Sequence, residues 1–383
     1  MELIPVVDGH NDLAWALREH GYDLLAHELD RSRPEFHTDV PRLRAGGVRA
    51  QFWSVFVPGT LAGDLAVAAT LEQIDAVGAF IDRYPAHFRR VADADEFDRL
   101  VLAGPDAPIA SLMGAEGGHS IANSLGVLRT LHRLGVRYLT LTHNENTDWA
   151  DSATDEPRHH GLTAFGTEVI REMNRLGMIV DLSHTSADTM ADALAVSTAP
   201  VIFSHSSSRA VCPHPRNVPD DILVDLAAQG GLCMVTFVAP FVSEAAYEWR
   251  SRAEDEARHQ GLDVHDHDQM GAFYESYPIA MPPAGLEDVV AHFEHLREVV
   301  GVDHLGVGAD FDGTSWLPEG LSDVSCYPRL WEALARGGWS RDDLEKVGWR
   351  NMSRVLHEVE DRAAAMRATR RDPADEAAAM RPA

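Results

Sequence analysis

Eight short apolar runs, separated by stretches of helical periodicity, leave few architectures open to this chain. The runs cover residues 4–12, 48–57, 108–116, 136–143, 178–184, 200–205, 231–238 and 304–310. They are rich in β-branched and aromatic side chains and bounded by turn residues, the signature of strands. Between them, residues 64–83, 120–134, 163–176, 186–197, 220–229 and 286–300 place apolar side chains three and four apart, as an amphipathic helix requires. Buried strands alternating with helices pack as a parallel sheet. Eight of them predict a closed (β/α)8 TIM barrel, whose active site lies at the C-terminal strand ends. An open doubly wound sheet is the competing layout, but no Gly-x-Gly-x-x-Gly follows the first run to receive a dinucleotide.

At 383 residues with 45% hydrophobic side chains the chain can bury one large core, and α/β barrels routinely exceed the usual single-domain length. A single catalytic domain over residues 1–369 is expected. Residues 239–284 are too long for an ordinary connection and include a charged helical run, so they read as an insertion capping the barrel mouth. Residues 370–383, rich in Arg, Asp, Pro and Ala, lack a packing face and read as a mobile tail.

The net charge of −27 repels nucleic acid and anionic membrane surfaces, which leaves small-molecule or peptide substrates. No apolar run approaches the roughly 20 residues of a membrane span, and no signal sequence precedes the first strand. A cytoplasmic location is therefore expected. Cys212, Cys233 and Cys326 are odd in number and scattered, which excludes a disulfide framework or a zinc knuckle. Lys346 is the only lysine and lies in a helical pattern near the end of the chain, which excludes Schiff-base and P-loop chemistry.

Chemistry gathers at the strand ends. In the first run His10 and Asp12 stand two apart, so an extended strand projects them together. The third run ends on Glu116, the fourth on His143, the fifth on His184, the sixth on His205 and the eighth on Asp310. Any one of these alone reads as an ordinary turn or rim residue. In a barrel the six ends converge on one mouth, and coincidence becomes a poor account. His27, His87, His132, His292, His295 and His357 fall in helical or loop patterns and read as surface residues, while His265 and His267 read as part of a solvated acidic loop.

One catalytic zinc takes three protein ligands and an open position. Three histidines and two carboxylates exceed that need, so two zinc ions sharing a bridge are expected. No lysine stands at a strand end to bridge them, which leaves Glu116. The expected assignment is His10, Asp12 and Glu116 on one metal, with Glu116, His184 and His205 on the other.

The sequence also resembles the membrane or renal dipeptidases of the amidohydrolase superfamily. The matching segments are Asp8-Gly9-His10-Asn11-Asp12-Leu13, Gln51-Phe52-Trp53-Ser54-Val55, Glu116-Gly117, Tyr138-Leu139-Thr140-Leu141-Thr142-His143, Asp181-Leu182-Ser183-His184, Phe203-Ser204-His205-Ser206, His214-Pro215-Arg216-Asn217 and Gly308-Ala309-Asp310-Phe311-Asp312-Gly313. They occur in the family's order and cover most of the chain to about Leu356. The resemblance implies a (β/α)8 barrel with a two-zinc site on the five positions already chosen, and substrate roles for His143, Arg216 and Asp310. The chain departs from animal members in lacking a secretion signal, a lipid-anchor tail and a disulfide framework.

The function so implied is hydrolysis of free dipeptides, including those with a C-terminal D-residue, by a hydroxide bridging two zinc ions. Here His143 would polarise the carbonyl, Asp310 would relay the proton to the leaving amine, and Arg216 would grip the terminal carboxylate. Asp8 would hydrogen-bond a metal ligand. A dipeptide is the expected partner, with no nucleic acid and no membrane, and a homodimer is kept among the expected assemblies. Two alternatives stand beside this: an N-acyl amino acid deacylase or cyclic amidase on the same barrel, and a metal-binding scaffold without turnover.

Overall fold

The computed structural model of the protein describes residues 3–369 apart from Ala62, His265 and Asp266. Its strands are β1 (Val6–Asn11), β2 (Val48–Phe56), β3 (Phe88–Arg90), β4 (Ile109–Glu116), β5 (Val136–Thr140), β6 (Ile179–Asp181), β7 (Ile202–Phe203), β8 (Leu232–Val235) and β9 (Leu305–Val307). Eight of them form a closed parallel ring in the order β2-β1-β9-β8-β7-β6-β5-β4, with β4 pairing back onto β2. Closure joins the first strand to the last through Asp8 and Val307. The expected barrel is present.

β3 is an addition to that expectation. Ala110 of β4 pairs with Ala50 of β2 on one edge and with Arg89 of β3 on the other. A three-residue strand with two exposed arginines carries too little apolar signal to be read from sequence.

Alternation along the strands divides the core in two. Val7, Phe52, Leu112, Tyr138, Ile202 and Met234 fall in one apolar cluster. Their sequence neighbours Val6, Trp53, Met113, Leu139, Phe203 and Cys233 fall in the other, which also takes in the helices. This is the period of two expected of strands buried on both faces, and each large side chain so buried contributes about 1.5–3 kcal/mol. Gly114 makes one inward position workable, since a Cβ there would lie 1.9 Å from the Tyr138 ring.

Helices Asp64–Arg83, Ala164–Leu176, Ala187–Val196 and Leu286–Val300 match their expected bounds. Thr163 and Ser186 cap two of them by accepting from the amides of Gly166 and Thr189. The stretch expected to be helical over 120–134 is instead a 3-10 turn, Gly118–Ile121, followed by helix Leu125–Arg133. Ala122 and Asn123 take positive φ and Ser124 caps the new helix, so the chain restarts there.

In the 239–284 region, helices Ala239–Val242, Glu244–His259 and His267–Ser276 reach toward the loop that follows β9. Trp316 in that loop packs edge-on against Tyr274 at 4.7 Å and Trp249 at 6.0 Å, and its carbonyl accepts from the Ala239 amide. His265 and residues 370–383 lie outside the described residues. No described helix is long and apolar enough to cross a membrane.

His292 corrects the surface assignment. It is fully buried, with Nδ1 accepting from the Ser208 amide at 3.0 Å and Nε2 donating to the Val242 carbonyl at 3.2 Å. Helical periodicity places it on the inward face between Val289 and Phe293, where a histidine with both nitrogens satisfied costs little.

Candidate metal centre

Four of the candidate side chains stand on loops that begin where the ladder stops. β5, β6, β7 and β9 end two or three residues before His143, His184, His205 and Asp310, so these side chains sit on loops rather than on the strands assigned to them by sequence. His184 has φ 69° and Asp310 has φ 68°, the left-handed region where a side chain is strained. Glu116 is the true last residue of β4.

β1 supplies the first pair. A register shift between Asp8 and Asn11 breaks the regular alternation there. His10 Nε2 lies 3.2 Å from Asp12 Oδ2, as the two-apart spacing predicts. Asp8 does not bond the His10 ring. Its Oδ1 accepts from the amides of His10 and Ala309, each at 3.0 Å, and Oδ2 accepts from the Tyr327 hydroxyl. Asp8 therefore ties β1 to β9 beneath the site, and burial pushes its carboxyl up to about 6.

Glu116 stands between two groups of donors. Its Oε2 lies 3.4 Å from His10 Nε2 and accepts from Ser54 Oγ at 3.1 Å. Its Oε1 lies 3.0 Å from His184 Nε2 and 3.4 Å from His205 Nε2. Three sets of donor atoms thus fall within 4.8 Å of one another: His10, Glu116 and His205; Glu116, His143 and His184; His10, Asp12 and Asp310. The five expected ligands and both expected reacting residues meet in one cluster.

The spacings fit a metal. Zn–N bonds of about 2.0–2.1 Å in a tetrahedron put neighbouring donors roughly 3.3–3.4 Å apart, close to the 3.0–3.4 Å separations among Glu116, His184 and His205. Buried atoms without partners point the same way, since His10 Nε2 and Asp12 Oδ1 have no hydrogen bond among the described residues.

Electrostatics divides the histidines. Burial opposes protonation of His10, but the Tyr138 oxygen and the Glu116 and Asp12 carboxylates hold its pKa well above the usual value. Burial, with Arg216 and neighbouring histidines, drives His184 and His205 well below it. Burial, then the Asp12 charge, raises Asp310 well above the ordinary carboxylate range. Gly313 closes in behind, for a Cβ there would meet Asp12 Oδ2 at 2.3 Å and Asp310 Oδ1 at 2.5 Å.

Arg216 is 2% exposed and stacks 5.4 Å from the Phe241 ring. Burial lowers its pKa to about 10, against the pull of Asp310, Glu116 and Asp181, so it stays charged near neutrality. Two long hydrogen bonds, 3.3 Å to Ser206 Oγ and 3.4 Å to the His205 carbonyl, leave its Nε without a partner among the described residues. His143 stacks between Phe56 and His184, with ring centroids 4.8 and 4.4 Å away.

Sequence reasoning missed the residues behind the ligands. His205 Nδ1 lies 2.8 Å from Ser204 Oγ, which donates at 2.7 Å to Asp181. His10 Nδ1 lies 2.8 Å from the Tyr138 hydroxyl. A Ser directly before a strand-end His is a usable signal; Tyr138, 128 residues from His10 in sequence, gives none.

A family model described as membrane dipeptidase (Peptidase family M19) matches residues 1–370. Dipeptidase 3 of Mus musculus is 40% identical over 366 residues, 94% of this chain and 65% of the mouse protein. Dipeptidase tcpJ of Claviceps purpurea is 40% identical over 371 residues, covering 94% and 78%. The chain thus spans just under two thirds of its mouse relative. Among solved structures, a metallopeptidase from Rhodobacter sphaeroides liganded with a phosphinate mimic of L-Ala-D-Ala superposes with a TM-score of 0.77 at 25% identity, over 94% of this chain and 100% of that one.

Proposed function

Since the chain belongs to the membrane dipeptidase family, Peptidase family M19, we propose that it is a binuclear zinc dipeptidase hydrolysing the peptide bond of free dipeptides, C-terminal D-residues included. The observation that carries the two-metal reading is that Glu116 turns Oε2 toward His10 and Oε1 toward His184 and His205. Asp12 completes the first group. Bound there, the metals would supply an acidified water as nucleophile and a Lewis acid for the scissile carbonyl.

The chain's own residues would do the rest. Asp310, 3.9 Å from His10 Nε2 and with its pKa raised by burial and the Asp12 charge, would in its ionised form take a proton from the attacking water and, once protonated, deliver it to the leaving amine. His143 would hydrogen-bond the carbonyl oxygen as negative charge develops on it. Arg216 offers a buried guanidinium with unspent donors, suited to a bidentate grip on the terminal carboxylate. Residues 239–284 would close over the mouth through their contact with Trp316, as part of one domain over residues 1–369.

The test is metal analysis joined to side-by-side rates. The expected result is two zinc ions per chain and faster turnover of free dipeptides, of both stereoisomers at the second position, than of N-acyl amino acids or cyclic amides. Preferred turnover of either other class would replace the dipeptidase reading.

A further inference from the structure

The two ring nitrogens of His10 have different surroundings. Nε2 faces Asp12, Glu116 and Asp310 at 3.2, 3.4 and 3.9 Å. Nδ1 faces the Tyr138 hydroxyl at 2.8 Å, and that hydroxyl lies 3.2 Å from the Gly9 carbonyl oxygen. A carbonyl oxygen only accepts. The hydroxyl therefore donates to Gly9 and is left to accept from Nδ1–H, so the proton stays on Nδ1 and the lone pair falls to Nε2.

Tyr138 reaches His10 from β5, and its ring lies beside Phe52, 5.4 Å between centroids, in the space that Gly114 leaves open. A phenylalanine would fill that space equally well. A buried hydroxyl is unfavourable unless it is bonded, and both of this one's bonds go to the segment that carries the ligand, Gly9 and His10. The other ligand histidines differ: His205 leans on its own sequence neighbour Ser204, and His184 Nδ1 has no hydrogen-bond partner among the described residues.

We propose that Tyr138 is the positioning residue of His10, holding Nδ1–H so that Nε2 is presented to the metal shared with Asp12 and Glu116. The role is specific to one half of the site, and its metal arm rests on the two-zinc reading above. Losing such a partner behind a metal ligand typically weakens binding 10- to 100-fold.

The experiment compares wild type, Tyr138→Phe and Phe52→Leu. Zinc is titrated against a competing chelator, and the zinc-loaded proteins, labelled with ¹⁵N-histidine, are examined for a ring N–H resonance of His10 protected from solvent exchange. Tyr138→Phe is expected to weaken one of the two zinc-binding steps by roughly 10- to 100-fold, leave the other unchanged and lose the protected resonance. Phe52→Leu, which alters the packing but keeps the hydroxyl, is expected to behave as wild type. The proposal is overturned if Tyr138→Phe keeps the resonance, if both its binding steps match wild type, or if Phe52→Leu weakens the same step equally. A wild type that takes up a single zinc would overturn the two-metal reading instead, and the resonance would still decide the role of the hydroxyl.

Discussion

The Nε2 atoms of His184 and His205 lie 3.0 Å apart, and both face the same oxygen of Glu116. Burial, with Arg216 and neighbouring histidines, holds both rings well below the usual histidine pKa, so each is neutral near pH 7 and has one ring nitrogen free to act as a metal donor.

The first prediction follows from the other oxygen of Glu116, which faces His10. Glu116→Gln halves the charge offered to neither group alone but removes it from both. Zinc content should fall from two ions toward none, through weakening of both binding steps. If the variant cleanly loses one ion and keeps the other at wild-type affinity, Glu116 is a ligand and not a bridge.

In the proposed reaction Asp310 moves protons and does not hold metal. Asp310→Asn should retain near-normal zinc while turnover falls by roughly 10²- to 10⁴-fold, the range for general acid and base groups. Metal analysis and single-turnover rates measured together decide this. Its position within 4.8 Å of His10 and Asp12 offers the opposing outcome, in which the variant loses zinc and Asp310 joins the ligands.

Arg216 tests substrate class. Its buried, under-bonded guanidinium should contribute about 1.5–3 kcal/mol through a charge-assisted pair with a terminal carboxylate. Arg216→Met should therefore keep zinc and lose roughly one to two powers of ten in kcat/KM on free dipeptides. C-terminally amidated dipeptides should be poor substrates for wild type and nearly indifferent to the substitution. Equal cleavage of amidated and free forms by wild type would remove the carboxylate role.

His292 makes a prediction about pH. Burial lowers its pKa to about 4 from 6.5, and its Nδ1 must stay unprotonated to accept from Ser208. The folded protein then binds fewer protons than the unfolded chain between those values, so the contribution is present in full above pH 6.5 and is lost as pH falls toward 4. At about 1.36 kcal/mol per pKa unit the effect is on the order of 3 kcal/mol. Denaturation midpoints of wild type and His292→Gln should differ clearly near pH 7 and draw together near pH 5. A gap that is the same at both would show that His292 does not titrate with unfolding.

Much of this was legible in the sequence because period-two and period-3.6 patterns report burial directly. The eight ring strands and the cluster of candidate side chains near their ends could be read from such patterns, and so could helices such as Leu286–Val300. What escaped is what depends on contacts across the ring. The Asp8 carboxylate bonds an amide of β1, an amide beyond β9 and Tyr327, and nothing local announces that choice. The sequence places His184 and Asp310 at strand ends, yet each lies three residues past its strand in a left-handed conformation that the apolar pattern does not announce. His292 looked like a surface residue because its partners lie 84 and 50 residues away.

The pairing of Asp8 with Val307 also bears on how the chain is made. Until the ninth strand leaves the ribosome, β1 and β8 are both edges with unpaired backbone groups, the kind of exposed template on which other chains add. The ring closes only when the last strand pairs with the first, and non-local parallel pairing is slow to form. Synthesis that stalls before residue 305, or a truncation that removes β9, should yield aggregates rather than a smaller folded protein, and pulse-labelled nascent chains would show protease resistance arriving in one late step.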